Sequence, residues 1–228
     1  MLEAVLEKRR GDIHIRMRLC VRRGVLALVG PNGSGKTTTL DMLAGLIQPD
    51  HGRVVLGGRV LFDSEEGVNV PPEHRNVGYI FQNYALFPHM SVHSNVAFGL
   101  KMRGIERARA CERTDEVLEL LGISHLASKK PRELSGGEMQ KVALARVLVL
   151  TPRLLLCDEP FSAMDSTAKH MARAELKRVL KELDIPAVLV SHDPQEVESL
   201  ADSVCTMSRG RVMHTKGHEK CVHEEGMR

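Results

Sequence analysis

The run Gly30-Pro31-Asn32-Gly33-Ser34-Gly35-Lys36-Thr37 constrains this chain more than any other feature in it. A short, continuously apolar stretch, Val25 to Val29, precedes it, and Leu40, Leu43, Ala44 and Ile47 follow at helical spacing. Strand, glycine-rich loop and helix in that order make a phosphate-binding loop of the pattern G-x-x-x-x-G-K-[ST]. Glycines let the backbone wrap closely and aim its N–H groups at phosphate oxygens. The start of the helix adds partial positive charge. Lys36 is expected to reach the terminal phosphates of a nucleoside triphosphate, and the Thr37 hydroxyl to ligate Mg²⁺.

Two further runs, Leu154 to Cys157 and Ala187 to Val190, share the character of Val25 to Val29: short and wholly apolar, as parallel strands covered on both faces require. Helical stripes lie between them, the longest formed by Ala168, Met171, Ala172, Leu176, Val179, Leu180 and Leu183. Alternating strands and helices predict an α/β fold with a parallel sheet. Near the amino terminus the period changes. Ile13, Ile15, Met17 and Leu19 alternate with His14, Arg16 and Arg18, as in a half-buried strand. Leu2 to Leu6, Val54 to Leu56 and Val60 to Phe62 supply neighbours for a small antiparallel sheet attached to the core. From Asn83 to Leu150 the pattern is mainly helical, clearest over Arg107 to Leu121. A helical subdomain (83–149) is therefore expected as an insertion in a core built from 1–82 and 150–217, with a polar tail at 218–228.

Leu154-Leu155-Leu156-Cys157 runs directly into Asp158-Glu159, which puts two carboxylates at the carboxyl end of a buried strand, where α/β sheets place their ligands. Asp158 is expected to hold Mg²⁺, directly or through water, and Glu159 to polarise the attacking water as a general base. On its own such a pair is equally a solvated strand end; the phosphate loop gives it meaning. A third feature, Leu134-Ser135-Gly136-Gly137-Glu138, precedes a helical run with Met139, Val142, Ala143 and Val147 on one face. Ser135 and Glu138 have the spacing of a capping box. Two glycines, however, weaken a helix start unless backbone must approach something closely. Ser135 and the N–H groups after it offer a second phosphate-binding surface.

Composition removes several function classes. A formal charge of +3, no Trp and two Tyr argue against a nucleic-acid binder. No stretch reaches the roughly 18–20 uncharged apolar residues of a membrane span. Met1 to Arg10 carries Glu3, Glu7, Lys8, Arg9 and Arg10, so no signal peptide is expected. The chain is expected on the cytoplasmic side, reaching a membrane only through a partner. The five cysteines contain no CxxC pair and read as reduced, small hydrophobes.

The phosphate loop, Leu134 to Glu138 and the Asp158-Glu159 strand end, in this order, resemble the ATPase domain of ATP-binding-cassette (ABC) proteins over about residues 1–217. The resemblance implies a P-loop NTPase fold with a RecA-like parallel core, and ATP and Mg²⁺ as ligands. It implies a head-to-tail dimer with a second ATPase subunit, a homodimer in the simplest case. ATP would lie between Gly30 to Thr37 with Thr38 of one subunit and Ser135, Gly136 and Gly137 of the other. Gln82, after Val77 to Phe81, matches the family glutamine that touches Mg²⁺ and the attacking water. His192, in Val190-Ser191-His192-Asp193, matches the histidine that contacts the γ-phosphate. Asp165, in Ser162-Ala163-Met164-Asp165, belongs to the loop that signals across the dimer. The family usually stacks an aromatic ring on the base, yet no aromatic residue precedes Phe62. That leaves His14 or an Arg stem as a substitute.

Tyr79 to Val92 with Asn95 to Leu100 resembles importer ATPases served by a separate solute-binding protein, in which this region receives a coupling helix of the permease. Gly57 to Ser64 with Val70 to Arg75 is similar to molybdate and tungstate importers, with sulfate, ferric-iron and polyamine importers next. The resemblance thus implies the ATPase subunit of an importer for an inorganic oxyanion such as molybdate or tungstate. It would sit peripherally on the cytoplasmic face of the membrane, with permease subunits and, indirectly, an extracytoplasmic solute-binding protein as partners. ATPases for another cargo, exporter ATPases and soluble ABC proteins outside transport share the core motifs. The single cassette, with no long coiled coil and no strongly basic face, stands against the soluble class. His214, His218, Cys221 and His223 have zinc-like spacing, but a polar, glycine-bearing tail argues against a metal site.

Overall fold

The computed structural model describes residues 1–162 and 164–217. Ala163, the tail expected over 218–228 and the candidate zinc ligands His218, Cys221 and His223 therefore lie outside the described residues. The chain forms two compact units. The first comprises Met1–Tyr79, Arg153–Glu159 and the chain from Lys177, and the second Ile80–Pro152 with Pro160–Leu176.

The first unit is organised by a mixed sheet. Its strands are β1 (Leu2–Arg10), β2 (Ile13–Val21), β3 (Val25–Val29), β4 (His51–Leu56), β5 (Arg59–Asp63), β6 (Val68–Asn69), β7 (Val77–Ile80), β8 (Leu154–Asp158), β9 (Ala187–Val190), β10 (Ser203–Ser208) and β11 (Arg211–Gly217). They run in the order β6-β5-β4-β1-β2-β11-β10-β3-β9-β8-β7. β3, β8, β9 and β10 are parallel. The antiparallel strands expected near the amino terminus are joined to them in one sheet, through β11 beside β2 at Arg211↔Arg16. β1 and β2 pair from Leu2↔Val21 to Arg10↔Ile13 around the turn Gly11-Asp12. Ile15, Met17 and Leu19 are buried, so the alternating pattern does place one face in the core. β10 and β11 were not expected from the sequence. Ser203, Cys205 and Met207 carry the buried face of β10, a residue set without a hydrophobic signature.

α1 (Lys36–Ala44) packs against this sheet through Leu40, Met42 and Leu43, each fully buried. It ends earlier than the Leu40–Ile47 stripe suggests, because Gly45 adopts φ 84° and closes it. Arg75 secures that end while only 1% exposed. Its Nη1 donates to the carbonyls of Met42 (3.0 Å) and Leu43 (3.1 Å), Nε to Val70 (2.7 Å) and Nη2 to Asn69 Oδ1 (3.0 Å). A buried cation here satisfies carbonyls that a helix end leaves unpaired and opposes the negative end of its dipole. Cys20, Cys157 and Cys205 are buried, and burial pushes the Cys205 thiol up to about 12.

In the second unit, α2 (Val92–Met102), α3 (Arg107–Leu120) and α4 (Gly136–Leu148) pack together. Ser91 caps α2 by accepting from the Ser94 N–H at 3.2 Å. Asn95, 1% exposed, accepts from the Phe87 N–H and donates to the carbonyls of Phe87, Met90 and Ser91. It thereby fixes the turn before the helix. α5 (Ser166–Glu182) begins in the second unit and ends in the first; α6 (Pro194–Leu200) belongs to the first. The long apolar stripe read along α5 was drawn too wide, since Met171 is 71% and Leu183 44% exposed. No helix among the described residues is long and apolar enough to cross a membrane.

Candidate functional site

β3 delivers the chain to the phosphate loop and α1 carries it away, the arrangement read from the sequence. Glycine is required at the first loop position: Gly30 has φ 150°, and a Cβ there would collide with the Met207 carbonyl of β10. The Gly210 N–H donates to the Ser34 carbonyl at 3.0 Å, so the β10–β11 hairpin braces the loop from behind. Lys36 folds back, its ammonium donating to the carbonyls of Gly30 (2.8 Å) and Pro31 (3.0 Å). Burial lowers its pKa, while Glu159 and Asp158 pull it upward. The Ser34 hydroxyl is buried without a hydrogen-bond partner, and Asn32, Gly33, Thr37 and Thr38 line the cleft in front of the loop. An orphan hydroxyl and a buried cation beside helix-start N–H groups are the donor set an anion would satisfy.

Asp158 ends β8, and its Oδ1 accepts from the Thr37 hydroxyl at 3.2 Å. Desolvation raises its pKa, opposed by the Thr37 bond, with Glu159 and Asp41 adding to the rise. Two oxygens converging at the mouth of an anion site, one on a destabilised carboxylate, fit a hard divalent cation such as Mg²⁺. Behind them stands a group the sequence reading missed. Tyr79 donates its hydroxyl to Asp41 Oδ1 at 3.1 Å, and desolvation raises the Asp41 pKa. Nothing in the local sequence around Asp41 signals this, since its partner comes from β7.

Glu159 follows Asp158 with φ 47°, a left-handed conformation uncommon outside glycine. Its N–H donates to the Val190 carbonyl at 3.0 Å, which ties the ends of β8 and β9 together. That tie brings His192 alongside, with Nδ1 3.2 Å from Glu159 Oε1. Ser191 and Asp193 steady the histidine turn, the Ser191 hydroxyl donating to Glu196 (2.6 Å) and accepting from the Asp193 N–H (3.0 Å).

The cleft in front of the loop has a volume of about 480 Å³, and Arg10, Ile13 and Ile15 form its far wall. Arg10 donates to the Thr38 hydroxyl at 3.4 Å. Of the two substitutes read for an aromatic ring, an Arg stem is present. His14 is elsewhere, paired with Glu7 at 2.8 Å.

The remaining candidates belong to the second unit. Gln82 occupies an exposed turn after β7, followed by Tyr84 and Ala85 at φ 59° and 48°. Arg146 holds this segment, donating to the Ala85 carbonyl at 2.6 Å and lying 4.6 Å from the centre of the Phe87 ring. Ser135 caps α4 in a full capping box. Its hydroxyl accepts from the Glu138 N–H at 3.3 Å, and Glu138 Oε2 accepts from the Ser135 N–H at 2.7 Å and lies 2.8 Å from the hydroxyl. Gly136 and Gly137 form the first turn, with open space where a Cβ on Gly137 would stand. Asp165 Oδ1 accepts from the Ala168 N–H at 2.9 Å at the start of α5.

The family profile for the ABC transporter matches residues 16–162. A molybdenum import ATP-binding protein from Paramagnetospirillum magneticum is 42% identical over 228 residues, covering all of this chain and 62% of the relative. A trehalose/maltose import ATP-binding protein from Thermococcus litoralis is 45% identical over 92% of this chain and 56% of its own length. A molybdate/tungstate import ATP-binding protein from Archaeoglobus fulgidus is 44% identical over 93% of this chain and 85% of its own. The chain thus spans little more than half the length of the first relatives it matches. Among solved structures, an ATP-binding cassette captured as a dimer in a post-hydrolysis state with ADP and Pi superposes with a TM-score of 0.77. It is 25% identical, and the match covers 95% of this chain and 98% of that one.

Proposed function

The chain belongs to the ABC transporter family, and from that membership we propose that it binds and hydrolyses ATP to drive a membrane importer. One observation carries the proposal: Lys36, Thr37, Asp158, Glu159 and His192 converge around a single phosphate loop within one compact unit. Lys36 exchanges its carbonyl partners for the β- and γ-phosphates, while the loop N–H groups and the Ser34 hydroxyl meet the remaining oxygens. Thr37 and Asp158 would hold Mg²⁺; the ion, when bound, would offset the negative charge on the phosphates. Glu159 takes a proton from the attacking water, and His192 fixes the orientation of its carboxylate and faces the γ-phosphate. Catalysis of this kind depends on positioning and charge rather than a covalent intermediate.

Ser135, Gly136 and Gly137 sit at a helix start, whose N–H groups favour an anion. They are read as the half-site offered to a second copy, with Asp165 in the adjoining signalling loop, which makes the working unit a head-to-tail dimer. The same reading puts the chain on the cytoplasmic face of the membrane, on permease subunits. The cargo is an inorganic oxyanion of the molybdate or tungstate class, supported by the names of two of the relatives above. That one relative is named for a disaccharide makes cargo the point to test.

The test is co-purification from detergent-solubilised native membranes, followed by reconstitution of the complex in vesicles. A stoichiometric polytopic partner and ATP-dependent uptake of molybdate or tungstate, but not of a disaccharide, is the expected result. Recovery only in the soluble fraction would overturn the transport reading and leave the ATPase reading standing.

A further inference from the structure

A second carboxylate stands behind the Thr37–Asp158 contact. Asp41 lies four residues after Thr37 on α1, and residues at that spacing project from the same helix face. Thr37 meets Asp158 at 3.2 Å, so this face of α1 is the one turned to the end of β8. Tyr79, packed against the core from β7 beside β8, donates its hydroxyl to Asp41 Oδ1 at 3.1 Å. Desolvation raises the Tyr79 pKa, and the charges of Asp41 and Asp158 add to the rise, so the hydroxyl stays a donor. Asp158 also senses Asp41: its own pKa is held up by desolvation, then by Glu159 and Asp41. Lys36, the cation at the loop, is bonded to the carbonyls of Gly30 and Pro31. Two like charges in a partly desolvated place repel each other, and a divalent cation would relieve that repulsion.

We propose that Asp41 is an outer carboxylate of the divalent-cation site and that Tyr79 is the positioning residue that holds it there. The inference rests on the reading of Thr37 and Asp158 as cation ligands. Asp41 acts without touching the ion, because Coulomb attraction falls only as the inverse of distance and is screened less where water is partly excluded. Its charge therefore adds to the pull of Asp158 on the ion. The Tyr79 hydroxyl favours the ionised form of Asp41 and fixes its direction. Groups one layer behind the ligands commonly set metal affinity in this way.

The experiment is titration of the ADP-bound full chain with Mn²⁺, followed by the electron paramagnetic resonance signal of the free ion. Wild type, Asp41→Asn, Asp41→Glu and Tyr79→Phe are compared. Asp41→Asn is expected to weaken Mn²⁺ binding by about five-fold or more, and Tyr79→Phe by roughly two- to five-fold. Asp41→Glu keeps the charge and should stay closer to wild type than Asp41→Asn. Displacement of trinitrophenyl-ATP by ADP in excess EDTA should be no weaker in any variant, a readout that a damaged phosphate loop would move. Mn²⁺ affinity within about two-fold of wild type in Asp41→Asn would overturn the inference while leaving the cation ligands standing. Equal losses of ADP affinity in EDTA and of Mn²⁺ affinity would overturn it too, by making Asp41 a support for the fold alone. Wild type that binds ADP in EDTA but no Mn²⁺ would remove the reading of Thr37 and Asp158 along with it.

Discussion

His192 Nδ1 lies 3.2 Å from Glu159 Oε1, so the histidine and the carboxylate form a pair beside the phosphate loop. The contact is imposed by backbone, through the Glu159 N–H bonded to the Val190 carbonyl two residues before His192.

Glu159→Gln is expected to keep nucleotide binding and to lower turnover by about 10²-fold or more, the range for loss of a general base. His192→Ala should also slow turnover. The double variant should be little slower than Glu159→Gln alone, because both changes disable one unit. Steady-state phosphate release measures all three; fully additive losses would show that the two side chains work independently.

Lys36→Met separates binding from stability. Losing a charge-assisted contact to phosphate should weaken ATP binding by roughly ten- to a hundred-fold. In the free protein the ammonium is held in a desolvating site that lowers its pKa. The nucleotide-free variant should therefore unfold at a denaturant midpoint no lower than wild type. A clear drop in that midpoint would mean that its bonds to Gly30 and Pro31 matter more than its desolvation.

Arg75→Ala should destabilise the fold by about 2–4 kcal/mol, since it strands the buried carbonyls of Met42 and Leu43 and removes the bonds to the Val70 carbonyl and Asn69 Oδ1. Urea denaturation reads this directly. ATP affinity should fall as well if the end of α1 helps hold the loop at its start.

The half-buried carboxyl of Asp41 gives stability a pH dependence of known sign. Desolvation raises its folded pKa above the ordinary 3.8, so between these values the folded state binds more protons than the unfolded one. Stability then falls as pH rises through that window, and the contribution is fully lost above the folded pKa. Asp41→Asn keeps an acceptor for Tyr79 and removes the titration. It should flatten the decline measured by urea denaturation as pH rises from about 4. An unaltered slope would place the pH dependence elsewhere, with Asp158 the next candidate.

Much of this architecture was legible in the sequence because its signals are local. The phosphate loop, the apolar runs that became β3, β8 and β9, and the alternation from Ile13 to Leu19 each declare themselves within a few residues. What escaped is non-local or lacks an apolar pattern. Arg75 entered the sequence reading only as the end of the Val70 to Arg75 run, and its role appears only when Met42 and Leu43 are brought against it. Ser203 to Ser208 mixes hydroxyls with sulfur and so hid a core strand. The Tyr79–Asp41 bond spans 38 residues. Spacing alone left Ser135 and Glu138 open between a capping box and a phosphate surface. The structure forms the box, with Glu138 bonded to Ser135.

One consequence of the strand order concerns how folded copies can meet. The outermost strands are β6, only Val68–Asn69, and β7, only Val77–Ile80. Unpaired backbone along an outer strand is what recruits a foreign strand, and long flat edges are the hazard. At these two ends of the eleven-stranded sheet the outer strands are short, so lateral growth from either end has little purchase. Native chains at high concentration should associate through side-chain surfaces, and fibrillar pairing should begin only from unfolded molecules.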